Sequence, residues 1–357
     1  MRINSLKINN LRVIESAKIE PGPALNLFQG HNGAGKTTIL EALAILSRGR
    51  SFRSGQVSAQ IGPHGDTYTL LCDIESDSKQ AHRMGIERSR SAWKARRDGQ
   101  DVGQLTELSE RLPVVSMHPE NYSLVSGPPE ARRRYLDWGV FHVKQGFLED
   151  WRRYSRALEQ RNAALRQGAP MRVIDSMTPM LASLASKIDE ARGAETSQLS
   201  SRLEMLLPRL SDSIPAVRVD YQAGWPGESF ENALSERLDL DRDRGWTSVG
   251  PQRAELVFRS DGKLARDIFS RGEQKLLYVA LNLAQAERMA ESGQRPVLLI
   301  DDLASEFDGE HLERVVERCL SFSFQTWVTG TDTTTFARRQ AGDARMFHVK
   351  HGEVTAA

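Results

Sequence analysis

Eight consecutive residues, Gly30-His31-Asn32-Gly33-Ala34-Gly35-Lys36-Thr37, carry the spacing G-x-x-x-x-G-K-[ST]. Glycines at these places let the backbone fold tightly enough for its N–H groups to face phosphate oxygens at a helix N-terminus. Lys36 is expected to reach the β- and γ-phosphates of a nucleotide, and the Thr37 hydroxyl to hold Mg²⁺. Far along the chain, Val297-Leu298-Leu299-Ile300 ends in Asp301-Asp302. An apolar strand of this kind delivers two carboxylates to its C-terminal edge. Asp301 would hold Mg²⁺ through water, and Asp302 would orient or deprotonate the attacking water. A third stretch, Ser270-Arg271-Gly272-Glu273-Gln274, opens a helix with a serine N-cap and a bare glycine in its first turn. It reads either as an ordinary cap or as a second phosphate-binding device. In the second case it would serve another molecule's γ-phosphate, since the first loop already cradles its own.

The elements that must position these residues follow from apolar spacing. Ile3, Leu6 and Ile8, then Val13, Ala17 and Ile19, alternate as short strands before Pro21-Gly22-Pro23. The run Leu25–Phe28 enters the glycine loop, and Thr38 to Leu46 has helical spacing. Strand texture returns between 57 and 117, with Tyr68–Cys72 and Val114–Met117. From about 130 to 210 proline is sparse and helices are predicted, with a turn near Gln167-Gly168-Ala169-Pro170. Strands at 217–221, 255–258, 296–300 and 325–329 alternate with helices at 274–291 and 309–320. The pattern predicts an α/β mixed sheet interrupted by a helical insertion, divided as 1–130, 131–212 and 213–357.

With 357 residues, 39% of them hydrophobic, the chain can bury a sizeable core, and a net charge of +1 excludes wholesale disorder. No apolar run approaches the ~20 residues of a membrane helix. Neither an apolar secretory leader nor a zinc spacing stands out, and Cys72 and Cys319 cannot form a disulfide framework. A soluble cytoplasmic protein, with no membrane partner, is expected. The small net charge hides basic runs. Arg132, Arg133, Arg134, Arg152 and Arg153 belong to a stretch with a local positive excess, and Arg88, Arg90, Lys94, Arg96 and Arg97 form a second cluster. Such runs read as a surface for a polyanion or as solvated faces. Tyr135, Trp138, Trp151 and Tyr154 beside the first run read as base-stacking or as core residues.

In this order, with a long helical insertion, the three motifs resemble the ABC-type ATPase heads of the SMC and RecF proteins. Within that group the chain is similar to the recombination mediators of the RecF family. SLKINNLRVIESAKIE at the start, GRSFRS (49–54), HPENYSLVSGPPEARRRYLDW (118–138), LEQRNAALRQG (158–168), SVGPQRAEL (248–256) and LLIDDLASEFD (298–308) carry the likeness. It implies a P-loop head, lobe I, with an inserted α-helical lobe II. Gly30 to Thr38 would be Walker A and Asp301-Asp302 Walker B. Ser270, Arg271, Gly272, Glu273 and Gln274 would be the signature motif, reaching a partner's ATP. Ser305 and Asp308 lie in the implied D-loop, Thr331 at the switch position, and Glu120 where such heads place a Q-loop glutamine. Arg50, Arg53 and Arg12 are candidates for γ-phosphate, DNA or base contacts. The family's G-P-H segment reads Gly250-Pro251-Gln252. The resemblance further implies ATP and Mg²⁺ as cofactors, slow hydrolysis stimulated by DNA, and an ATP-dependent homodimer. It implies DNA partners at single-stranded gaps and junctions, with RecR and RecO, in repair, replication restart and the SOS response. The rival expectation is an SMC-like structural DNA-binding head; an insertion of this length cannot build a long coiled-coil arm.

Overall fold

The structure, a computed structural model, describes residues 1–119, 122–339 and 344–357. Along the chain run β1 (Arg2–Leu11), β2 (Ile14–Ile19), β3 (Leu25–Gln29), α1 (Lys36–Arg48), β4 (Thr67–Glu75), β5 (Ala81–Ser89), β6 (Trp93–Arg97) and β7 (Gln100–Asp101). Then come α2 (Thr106–Arg111), β8 (Val114–Met117), α3 (Ser123–Ser126), α4 (Pro129–Val143), α5 (Phe147–Arg166), α6 (Met171–Leu210) and β9 (Arg218–Gln222). The rest comprises α7 (Phe230–Glu236), α8 (Leu238–Arg244), β10 (Glu255–Ser260), β11 (Lys263–Leu264), α9 (Ala265–Ile268) and α10 (Arg271–Glu291). It ends with β12 (Val297–Asp301), α11 (Gly309–Leu320), β13 (Thr326–Gly330), α12 (Thr334–Arg339), β14 (Ala344–Lys350) and β15 (Glu353–Ala356).

The chain forms two compact units. The first comprises Met1–Tyr122, Pro208–Asp212 and Tyr278–Ala357. One of its sheets has the order β2-β1-β4-β5-β6-β7 and is antiparallel throughout. The other has the order β15-β14-β3-β13-β12-β8, parallel from β14 to β8. Helix α1 is buried on nearly every side, from Thr38 to Ser47, so its apolar residues cannot form a single stripe. It packs against strands of both sheets. Phe28, Trp327 and Phe347 stack on neighbouring strands beneath it. All residues of β12 and β13 are buried, as continuous apolar runs in a covered parallel sheet require.

The second unit comprises Ser123–Leu207 and Ser213–Leu277. Its extent differs from the sequence boundaries at 130 and 212: residues 213–277, expected with the ATPase lobe, cluster with the helical segment. The cause is tertiary. β9 and β10 pair with each other (Tyr221 opposite Leu256) and β10 packs on α4. Arg132 on α4 meets Glu255 on β10 at 2.7 Å, and Arg161 on α5 meets Asp241 on α8 at 3.1 Å.

Candidate nucleotide site

Strands β3, β12 and β13 end together at one edge of the parallel sheet, with Gln29 opposite Gly330 and Asp301 opposite Thr329. Ligands of open α/β sheets bind at such carboxyl ends. The loop 30–35 leaves β3 there and turns into α1 through Gly35, whose φ of 109° places it in the left-handed region. Gly30 is a close-approach glycine: a Cβ would stand 2.2 Å from the Val349 carbonyl oxygen. The loop is further tied by Gly352, whose N–H donates to the Ala34 carbonyl. His31, Asn32 and Gly33 are exposed, whereas Ala34, Gly35, Lys36 and Thr38 are buried.

Lys36 curls over its own loop, donating to the carbonyls of Gly30 (2.8 Å) and His31 (3.0 Å). Burial lowers its ammonium from the usual range, while Asp302 and Asp301 oppose that shift. The Thr37 hydroxyl donates to Asp301 Oδ1 at 2.9 Å, and so does the hydroxyl of Thr329. Burial raises Asp301's carboxyl, and the two hydroxyl groups partly offset it. Asp302 follows with φ 48° and ψ 34°, a left-handed conformation that costs a non-glycine residue about 1 kcal/mol or more. Its Oδ2 accepts from the Ser305 hydroxyl at 3.0 Å, while Oδ1 is buried with no partner among the described residues. A hydroxyl–carboxylate pair fits a hard divalent cation, and an orphaned carboxylate oxygen beside it fits a water or phosphate ligand.

The other expected residues fall as follows. Asp308 caps α11, accepting from the His311 N–H at 3.0 Å, with the ring of His311 against its carboxylate. Thr331 is exposed, and its carbonyl accepts from Gln29. Glu120 lies outside the described residues. Arg50 and Arg53 are exposed, and Arg53 stands 3.7 Å from Glu41. Arg12 is bound to Glu41 through Nε and Nη2 and so is committed within the fold. Sequence reasoning missed Thr329, Glu41 and Ser51; only the threonine at the end of the apolar run Thr326–Gly330 gave a local signal.

In the second unit, Ser270 and Glu273 form a reciprocal capping box: Glu273 N–H donates to Ser270 Oγ (3.3 Å) and Ser270 N–H to Glu273 Oε2 (2.7 Å). The turn is exposed, with open space around Gly272 apart from Ser270 Oγ at 4.0 Å. Gln274 donates to the Phe269 carbonyl at 3.0 Å, and Arg271 is exposed. Gln252 accepts from Tyr154 (2.6 Å) and donates to the Val249 carbonyl (2.8 Å), so it stitches its own loop.

The basic candidates divide. Arg132 is 4% exposed, paired with Glu255 and donating to the Gly127 carbonyl, so burial removes it from any DNA-facing set. Arg133 is half-buried and donates to the Ala254 carbonyl. Arg134 and Arg153 are exposed, and Arg152 is half-buried. Tyr135 and Tyr154 are core residues. The 88–97 cluster is split by the strand pleat: Arg96 pairs with Asp101, Lys94 stands opposite Glu87, and Arg88 lies opposite Trp93 on the other face. Among the described residues no helix is long and apolar enough to cross a membrane.

Residues 2–355 match the family model of the RecF/RecN/SMC N-terminal domain. The chain is 42% identical to the DNA replication and repair protein RecF of Stenotrophomonas maltophilia, covering 100% of both chains. It is 37% identical to that of Thioalkalivibrio sulfidiphilus, over 99% of this chain and 98% of the relative. A solved structure of the recombination mediator protein RecF-ATP in the RecFOR pathway superposes with a TM-score of 0.89 at 22% identity, covering 99% of this chain and 97% of that one. An Smc head bound to the C-winged helix domain of ScpA gives 0.58 at 14%, over 100% and 97%. The fold is thus that of an ABC-type ATPase head with a helical insertion.

Proposed function

The chain belongs to the RecF/RecN/SMC family and within it to RecF, and from that premise we propose an ATP-gated, DNA-binding recombination mediator. Its task is to act at single-stranded gaps and junctions, helping to load the strand-exchange recombinase with RecR and RecO. Replication restart and SOS induction follow from that role, and the working place is the cytoplasm at the nucleoid. The observation that carries the nucleotide reading is the preassembled Thr37–Asp301–Thr329 cluster beside the unpartnered Asp302 Oδ1.

Lys36 leaves its loop carbonyls for the β- and γ-phosphate oxygens, exchanging two neutral acceptors for charged ones. Thr37 and Asp301 would hold Mg²⁺, which neutralises charge on those oxygens when bound. Asp302 Oδ1 orients the attacking water and takes its proton, while Ser305 keeps Oδ2 in place. The exposed Ser270–Gly272 turn supplies a hydroxyl and the first-turn backbone N–H groups of Arg271 and Gly272, and these would close a partner's site across an ATP-dependent homodimer. Hydrolysis then acts as a timer, slow and stimulated by DNA.

The test is solution mass with and without ATP·Mg²⁺. Wild type should double its mass only with ATP, Asp302→Asn should hold the dimer longer, and Ser270→Arg should bind ATP yet stay monomeric. A monomer under every condition would favour a nucleotide-binding DNA module without a shared site. Lys36→Ala with undiminished ATP affinity would remove the phosphate-loop assignment.

A further inference from the structure

The loop 245–253, which carries the chain from α8 toward β10, is bonded firmly from behind. Asp241 on α8 is fully buried and accepts from Arg161 (3.1 Å) and from the Ser248 N–H (2.9 Å). Asn162 Oδ1 takes both the N–H (2.8 Å) and the hydroxyl (2.7 Å) of Thr247, and that hydroxyl accepts from Arg161 at 2.6 Å. Gly245 ends α8 at φ 73°, and a Cβ there would stand 2.8 Å from Arg166 Cγ, so the stem of Arg166 lies against the turn. With its backbone held at so many points, the loop presents its outward side chains from a rigid support.

Those side chains are a tryptophan and arginines. The guanidinium of Arg253 lies over the ring of Trp246, 4.5 Å from its centroid, and that of Arg244 lies at 5.5 Å. Trp246 is half-buried, while Arg166, Arg244 and Arg253 are exposed. A guanidinium stacked on a ring has its flat face covered and keeps its N–H groups, which lie in its own plane, free to donate. Arg133 reaches the same loop from α4, donating to the Ala254 carbonyl. Burial lowers its guanidinium from the usual range, and the charge of Arg253 adds to that shift. Among the described residues, none of Arg133, Arg166, Arg244 and Arg253 pairs with a carboxylate. Elsewhere in this unit the buried Arg161 and Arg192, and the exposed Arg218, each have one. The cations around Trp246 are therefore neutralised neither by burial partners nor by surface acids.

We propose that this face binds the phosphodiester backbone of nucleic acid, with Arg244 and Arg253 held edge-outward on Trp246 and each taking a phosphate. Arg133 and Arg166 strengthen the positive field around them. The proposal rests on the DNA-binding reading above and gives it a place outside the basic run 132–153. Trp246 is a positioning residue here: its ring already carries guanidinium groups, whereas stacking on a base needs a bare aromatic face. The contacts fix the position of a strand without reading its sequence. Gathered cations with no acid among them suit the closely spaced charges of a nucleic acid, one per about 1.7 Å of duplex axis.

The test is the affinity of the full chain with ATP·Mg²⁺ for a 30-base-pair duplex, measured across a range of salt. The double variant Arg244→Gln, Arg253→Gln should weaken binding about 10-fold at low salt. It should also flatten the slope of log affinity against log salt by about 2 for each copy on the DNA. Both positions are exposed, so its melting temperature and its ATP affinity should match wild type. Trp246→Ala should weaken DNA binding about threefold, and Trp246→Phe, which keeps a ring face, should recover most of that loss. An unchanged salt slope in the double variant, or a Trp246→Phe protein no better than Trp246→Ala, would overturn the proposal. So would a double variant that keeps its DNA slope and loses binding to polyglutamate, which would mark a face for an acidic protein. If wild type binds the duplex with no salt dependence, the DNA reading itself fails and takes the proposal with it. If wild type shows the slope and the double variant shares it, this inference alone fails.

Discussion

The nucleotide site and the helical segment place their buried charges in opposite ways. At the sheet edge, among the described residues, Asp301 is held by two hydroxyls, Asp302 keeps one oxygen unpartnered, and Lys36 rests on neutral carbonyls. In the second unit, Arg192 is closed on every arm, with Nε and Nη2 on Asp137 and Nη1 on the Pro251 carbonyl. Arg132 is closed likewise on Glu255 and Gly127. An open valence is a place for a ligand; a closed one is scaffold. Both regions hold fixed charge; of the residues compared, Lys36 and Asp302 can still be satisfied by a nucleotide, whereas Arg132 and Arg192 are already spent within the fold.

The largest test of that contrast is Arg192→Ala. Losing the guanidinium leaves Asp137 and the Pro251 carbonyl without their partner, so urea unfolding should shift by about 3–5 kcal/mol. Lys36→Ala should stay within about 0.5 kcal/mol of wild-type stability, and equal effects would erase the distinction. An intermediate effect is expected on DNA. The double variant Arg134→Glu, Arg153→Glu, at two exposed positions, should flatten the salt dependence of affinity by about 1–2 in slope. Arg132→Gln should destabilise the fold without altering that slope, and a slope change from Arg132→Gln would show the buried pair opening to DNA.

The smallest effect concerns Asp301, whose folded carboxyl is raised by burial. Its unfolded form loses the proton first, so the native state becomes relatively less stable as pH climbs from about 4 through the raised value, and stays so above it. Asp301→Asn should therefore melt about 2 °C higher at pH 7.5 and no higher at pH 3, while Mg²⁺-dependent ATP binding falls. A lower melting temperature at pH 7.5 would mean that the carboxylate is a structural partner, as in the other unit.

What could be read from the chain beforehand follows the same division. The phosphate loop and the paired aspartates are local patterns: Gly35 must be left-handed, and Lys36, Thr37 and the β12 acids stand at strand and helix ends set by their own neighbours. The closed charges are not local. Arg132 and Arg134 look alike in a basic run, and only the return of β10 with Glu255 separates the buried one from the exposed one. Residues 213–277 left the expected lobe for the same reason, through pairings made across the chain. Glu41 has ordinary local sequence and Thr329 offers only its place at a strand end, and their roles arise from Arg12, Ser51 and Asp301 brought in from elsewhere.

The strand that feeds the phosphate loop has a consequence for timing. Among the described residues β3 pairs only with β13 and β14, and the loop itself is pinned by Val349 and Gly352. None of these partners exists while residues 25–35 are being made. At about 5–20 residues per second, roughly 300 residues later, the ribosome supplies them some 15–60 seconds afterwards. During synthesis the glycine loop is a tether without an anchorage, so capture of nucleotide is among the last competences a nascent copy acquires.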